Sequence, residues 1–252
     1  MDLAGGKRVA YRKEHSMSEK LNGILEAARL HAEEVILPHV DDWNITKTWP
    51  RAASDKAGAA GLMGLYAPEA FGGQGLPLSE GIQVYEQLGL GDGAYAFALS
   101  MHNICTFAAC GYGTEAFKDV WGMELTSGRK LANFALTEPQ SGSDPMKMYT
   151  RATINEDGTW TISGAKAWVS LATEADVYFT VVKTSDVPGH KDMAMIAIPA
   201  DASGVSFGPM YDTPSYKFLP MSEMYLDNVV VSEDNIILPI GQGFQGSLMA
   251  ID

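Results

Sequence analysis

The stretch Phe134-Ala135-Leu136-Thr137-Glu138-Pro139-Gln140-Ser141-Gly142-Ser143-Asp144, answered further along by Gly164-Ala165-Lys166-Ala167-Trp168-Val169-Ser170, decides how this chain reads. The first segment alternates apolar and small residues, as a strand does. It then breaks at Pro139 into a Ser/Gly turn whose backbone amides are free to face a ligand. The second sets one large indole on a strand among small neighbours. Such a pair suits a flat aromatic cofactor: Trp168 covers a ring face, while Thr137, Ser143 and Ser170 offer hydroxyls to its polar edge.

Downstream of these segments the pattern is strand-like. Thr150, Ala152 and Ile154 alternate with polar residues, Asp157-Gly158 gives a tight-turn signal, and Trp160 and Ile162 alternate on the way back, which predicts a hairpin. Val177 to Val182, Met193 to Ile198, Val205 to Phe207 and Met224 to Val231 read as further strands. Upstream the period changes to that of a helix. Ser16 with Glu19 forms a capping-box pattern, and Leu21, Ile24, Leu25, Ala28, Ala32, Val35 and Ile36 recur at helical spacing until Pro38. Pro50 opens a second, short helix closed by Gly61 or Gly64. A third begins near Ser79, and Ala94 to Cys110 is apolar nearly all round, as a helix in the middle of a bundle would be. Helices followed by strands make an α+β chain: an N-terminal α-helical bundle domain, an antiparallel β-barrel or sandwich domain, then the start of a truncated helix. The expected units are a flexible segment at 1–15, helical residues 16–130, β residues 131–238, and a new helix starting within 239–252.

Composition narrows the function. With 46% hydrophobic residues over 252 positions the chain can bury a full core. Eighteen Lys and Arg against 31 Asp and Glu give a net charge of -13, which argues against a nucleic-acid partner. Cys105 and Cys110 sit in an apolar stretch and read as buried free thiols in a reducing compartment. Neither a membrane span nor a leader is visible, so the expected location is cytoplasmic. Gly72 to Gly75 lacks a following Lys-Ser/Thr and is no phosphate loop, and Gly241-Gln242-Gly243 reads as a helix-entry turn. The five histidines show no metal-ligand spacing, so no metal site is expected. Each is read first as structural or solvated, with His102 in the buried stretch the one exception that could face a substrate cavity.

The order of these parts resembles the acyl-CoA dehydrogenase family from about Ser18 to Asp252. Pro38, Trp49-Pro50, Gly61-Leu62-Met63-Gly64-Leu65, Pro68 with Gly72 to Gly75, Gly113-Thr114-Glu115, the FALTEPQSGSD run, Lys166-x-Trp168, Ala175-Asp176 and Gly241-x-Gly243-Phe244 follow the family's sequence of motifs. Taken alone Trp168 reads as strand core, and the TEP-x-x-GSD context reverses that. The resemblance implies FAD as cofactor, held on the β-domain side by Phe134, Leu136, Thr137, Gly142, Ser143, Trp168 and Ser170. It further implies that Ser143, Phe244 and Asp252 meet the pantetheine arm of an acyl thioester. The implied activity is α,β-desaturation of an acyl-CoA in fatty acid metabolism, by a flavoprotein oxidoreductase in a homo- or hetero-oligomer, with electrons passing to an electron-transfer flavoprotein.

Two departures qualify the match. The run Tyr211 to Pro220 lacks the family's Lys-x-Gly-x-Arg pattern, and the family's catalytic Glu belongs to a C-terminal helical domain with no counterpart here, so no catalytic residue is assigned. The segment alone is therefore expected to be inactive, as part of a longer enzyme or as a short subunit completed by a partner chain. A flavin-dependent monooxygenase or oxidase of the same fold, and a non-catalytic binding module, are the competing functions.

Overall fold

The computed structural model describes residues 19–186 and 191–249. The expected capping residue Ser16, the flexible segment 1–15, His15, His190 and Asp252 lie outside the described residues. The helical part comprises α1 (Glu19–His31), α2 (Val40–Thr46), α3 (Arg51–Ala59), α4 (Leu78–Gly91), α5 (Gly93–Tyr112) and α6 (Glu115–Thr126). The first helix does not run unchanged to Pro38: it widens into a π turn over Ala32–Ile36, closed by Leu37 N–H on the Ala32 carbonyl at 2.9 Å. Pro38 has no N–H with which to continue the ladder. α5 is the buried central helix its composition predicts, and it starts where the Asp92 carboxylate accepts from the Tyr95 amide at 2.9 Å. Cys105 and Cys110 are both free and buried in it. Among the described residues no helix is long and apolar enough to cross a membrane.

The strands are β1 (Ala132–Ala135), β2 (Arg151–Ile154), β3 (Trp160–Ser170), β4 (Val177–Lys183), β5 (Met193–Pro199), β6 (Val205–Phe207), β7 (Met221–Val231) and β8 (Ile236–Leu238), after which α7 (Gly243–Met249) begins. The predicted hairpin is β2–β3, with Arg151 opposite Ser163 and Ile154 opposite Trp160. The eight strands form one sheet in the order β6-β7-β3-β2-β4-β5-β8, with β1 also on β4. It is not purely antiparallel. β1 and β2 both pair with β4 in parallel, β1 from Ala132 opposite Val177 to Ala135 opposite Thr180, and β2 through Arg151 opposite Lys183.

The two halves share an apolar core, in which Leu21, Trp49, Leu88 and Tyr95 pack in the same cluster as Ile162, Ile196 and Phe218. Phe218, from the loop before β7, reaches Trp43 and Trp49 with ring centroids at 5.7 and 6.1 Å. Polar contacts fasten the same seam. The Arg51 guanidinium donates to the carbonyls of Arg129 at 2.8 Å and Glu174 at 3.1 Å, and to the Asp176 carboxylate at 3.1 Å. Asp176 also accepts from the Leu131 amide at 2.8 Å and from Lys130 at 2.9 Å. Burial opposes ionisation of Asp176, but these donors hold its carboxyl below the usual range.

His102 takes the structural role favoured for the histidines, not the exceptional one of facing a substrate cavity. It is fully buried at this seam, its Nδ1 accepting from the Ala132 amide at 3.0 Å and its Nε2 facing the Leu125 carbonyl at 3.0 Å. Those partners fix the tautomer with the proton on Nε2. A side chain with both ring nitrogens engaged by backbone is a structural link between α5 and β1 and does not face a substrate cavity.

Close helix packing gives one test of the fold. A Cβ on Gly58 of α3 would lie 1.9 Å from the backbone oxygen of Ser127, at the end of α6. Because that obstacle is backbone, Gly58→Ala should lower stability by about 1–3 kcal/mol in urea unfolding. An unchanged unfolding midpoint would mean that α3 and α6 do not pack this closely.

Candidate cofactor site

The site is built where the edge of β4 changes partners. β1 pairs with Val177 to Thr180, β2 joins at Lys183, and the chain between them, Leu136 to Thr150, leaves that edge and returns to it. Val181 falls in the gap, opposite neither strand. Lys166 of β3 fills this gap: its Nζ donates to the Val181 carbonyl at 2.8 Å, to the Leu136 carbonyl at 3.3 Å and to Glu138 Oε1 at 2.8 Å. Glu138 in turn accepts from the amide of Thr150 at 3.0 Å, from the amide of Tyr149 and from Gln140 Nε2 at 2.6 Å. Both side chains are buried. Burial pushes the Lys166 ammonium down to about 8, against the support of Glu138. Burial also opposes ionisation of Glu138, yet Lys166 and the amides hold its carboxyl below the ordinary range.

The outgoing limb of the excursion is stitched to β3 as well. The Ala167 amide donates to the Thr137 carbonyl at 2.8 Å, which sets Thr137 beside the following residue, Trp168. At that point β3 bulges: Lys166 pairs with Met224 and Val169 with Ser222, so β3 uses one residue more than β7. Trp168 absorbs the difference with φ of 57°, an uncommon conformation for a bulky residue and one characteristic of functional sites. Its indole is turned out of the sheet, 60% exposed, against Tyr211 with ring centroids at 4.5 Å. Tyr211 is itself anchored by its amide on the Met221 carbonyl at 2.8 Å.

The other predicted residues divide into groups. Phe134 and Leu136 are half-buried and pack on the cluster that contains Phe179 and Val181, and Phe244 packs on the same cluster. Phe244 is brought there by Gly243, where a Cβ would lie 2.4 Å from the backbone carbon of Ala194 in β5. Ser170 is buried at the end of β3, with its carbonyl accepting from Asn133 Nδ2. The buried Asn133 Oδ1 has no partner among the described residues. Gly142 and Ser143 are exposed beyond the Glu138–Ser141 bridge, on a loop tied by Ser141 Oγ to the Asp144 carbonyl at 2.8 Å. The hydroxyls of Thr137, Ser143 and Ser170 bond to no other described residue.

Thr137 and Trp168 are thus brought side by side, and Phe134, Leu136 and Phe244 share one apolar cluster. Glu138, Lys166, Asn133 and Tyr211 had no role assigned to them from sequence. A Lys and a Glu within the two signature segments were the visible cue for the first pair. For Tyr211 the cue was only the aromatic content of a loop.

This donor set fits a flavin. The hydroxyls of Thr137, Ser143 and Ser170 and the buried amide oxygen of Asn133, without partners among the described residues, are donors and acceptors of the kind a flavin edge needs, and the exposed Trp168 indole offers an apolar face.

Comparison with known proteins is consistent along the chain. Residues 18–129 match the family model of the acyl-CoA dehydrogenase N-terminal domain, and residues 133–229 that of the middle domain. An isobutyryl-CoA dehydrogenase of Dictyostelium discoideum is 30% identical over 88% of this chain and 53% of its own length. A chain from the structure of the electron transferring flavoprotein of Acidaminococcus fermentans superposes with a TM-score of 0.88 at 25% identity, over 94% of this chain and 63% of that one. Glutaryl-coenzyme A dehydrogenase, solved with glutaryl-CoA, gives a TM-score of 0.87 at 28% identity over 93% and 60% of the two chains. The present chain spans 53% to 60% of the length of the curated relatives compared first.

Proposed function

The chain belongs to the acyl-CoA dehydrogenase family, and from that premise we propose that it forms the helical and β-sheet part of an FAD-dependent acyl-CoA dehydrogenase. The observation that carries this reading is Trp168, turned outward at the β3 bulge on Tyr211 and held beside Thr137 by the Ala167 amide. FAD, when bound, supplies the two-electron acceptor for α,β-desaturation of an acyl thioester. Trp168 would cover a ring face, and Thr137 and Ser170 would donate to the polar edge, where they also stabilise negative charge. Ser143 would meet the thioester arm, with Phe244 behind it. Desaturation also needs a positioned carboxylate to take the α-proton. Glu138 cannot serve, since its oxygens are engaged by Lys166, Gln140 and two amides. We assign that step to a carboxylate outside residues 1–252 and the reoxidation to an electron-transfer flavoprotein.

Two measurements test this reading. Trp168→Ala should weaken FAD binding by about five- to thirtyfold, on the order of 1–2 kcal/mol, in fluorescence titration. Equal affinity in wild type and variant would remove Trp168 from the site. Dye-linked dehydrogenation over a panel of acyl-CoAs, with the complete enzyme and FAD, tests the reaction itself. The absence of turnover with every thioester would refute the assignment.

A further inference from the structure

We propose that the buried Lys166–Glu138 pair is a positioning clamp for the cofactor loop, holding the two ends of 137–150 together and setting Thr137 beside Trp168. The inference deepens the flavin reading above and rests on it for two of its three readouts, FAD affinity and flavin absorbance.

The argument starts from what the pair touches. All three protons of the Lys166 ammonium have acceptors: Glu138, the Leu136 carbonyl on the outgoing limb and the Val181 carbonyl on the unpaired edge of β4. The Glu138 carboxylate engages the returning limb, through the amides of Tyr149 and Thr150. Glu138 also closes the tight turn with Ser141 by reciprocal backbone bonds at 2.9 and 3.0 Å. One ion pair therefore joins the start of the excursion, its end and the strand beneath. The residue before Glu138 in sequence is Thr137, and the residues after Lys166 are Ala167, whose amide bonds the Thr137 carbonyl, and Trp168. A shift of the pair moves both candidate flavin contacts at once.

Stability does not explain why this device is ionic. Taking two charges out of water offsets much of their attraction, and buried pairs replaced by apolar residues of similar volume are often as stable or more so. What apolar side chains cannot do is satisfy two carbonyls and two amides in a fixed arrangement. Without the ion pair the outgoing limb is held by the Ala167 amide on Thr137 and the returning limb by the Lys183 amide on Thr150, each to a strand and not to the other.

The test is the double variant Lys166→Met with Glu138→Leu. Circular dichroism should match the wild type and thermal unfolding should stay cooperative, although four backbone groups lose their side-chain partners. Hydrogen exchange at Tyr149 and Thr150, measured without FAD, should accelerate at least tenfold, FAD affinity should fall at least tenfold, and the absorbance maximum of bound flavin should shift. A folded double variant that keeps both amide protection and FAD affinity would overturn the proposal. If the double variant does not fold, Glu138→Gln decides. It keeps acceptor oxygen but has no charge for Lys166, and unchanged protection and FAD affinity in it would equally overturn the clamp. Failure of the wild type itself to bind FAD would count against the flavin reading alone, since the exchange arm needs no cofactor.

Discussion

Lys166→Met, with Glu138 left in place, should lower the unfolding free energy by about 3–5 kcal/mol at pH 7, the cost of stranding one charge of a buried pair. The single substitution differs from the paired replacement because Glu138 remains in the interior without its cation. Its amide donors from Tyr149 and Thr150 persist, but the ammonium is gone, and the carboxyl moves upward from its lowered position. A group whose folded pKa lies above its unfolded value loses stability as pH rises through the folded pKa, and recovers it below. The deficit in the variant should therefore shrink as the pH is lowered toward 5, while the wild type shows no such gain. Urea unfolding at several pH values reads both effects. A deficit under about 1 kcal/mol, flat with pH, would show that Glu138 is not confined as described.

The sequence made much of this arrangement visible, because its signals are local. The apolar run Ala94 to Cys110 marks α5, Asp157-Gly158 turns the β2–β3 hairpin, and short β-prone apolar runs mark β4 and β5. The two signature segments likewise announced themselves by residue type. The remainder depends on contacts between distant residues. β1 and β2 dock end to end on β4 in parallel, which no local pattern encodes, and that docking creates the gap that Lys166 fills. The aromatic contact under Trp168 is with Tyr211, far along the chain and in a run read mainly as a departure from a pattern. α2, α6 and the short β8 carried signals too weak or too brief to separate from loop, and tertiary packing forms them. His102 reads correctly as structural, but the backbone groups that enclose it come from Leu125 and Ala132, which no local pattern around the residue announces.

That enclosure leads to the second large effect, a loss of stability in mild acid. Burial pushes the His102 imidazole down to about 4, beyond what the Leu125 carbonyl restores, and the Arg51 guanidinium acts in the same direction. His31, buried with its Nε2 3.1 Å from the Tyr95 hydroxyl, is pushed down to about 4 by burial, with Lys56 adding to it. In the unfolded chain each ring takes a proton near its ordinary value of about 6.5. Between these limits the unfolded state binds more protons than the folded one, so stability falls as pH falls. From pH 7 to 5 each histidine should remove about 2 kcal/mol. Glu138 and Asp176, both held low, add their own losses only below the usual carboxylate range, so the window from pH 7 to 5 isolates the histidines. His102→Gln keeps an acceptor for the Ala132 amide and a donor for the Leu125 carbonyl, and it cannot be protonated. Its unfolding free energy should vary between pH 7 and 5 by about 2 kcal/mol less than that of the wild type, whatever its stability at pH 7. An identical pH slope in the two proteins would mean that His102 titrates normally in the folded state, and with it the seam between α5 and β1 would be open to water.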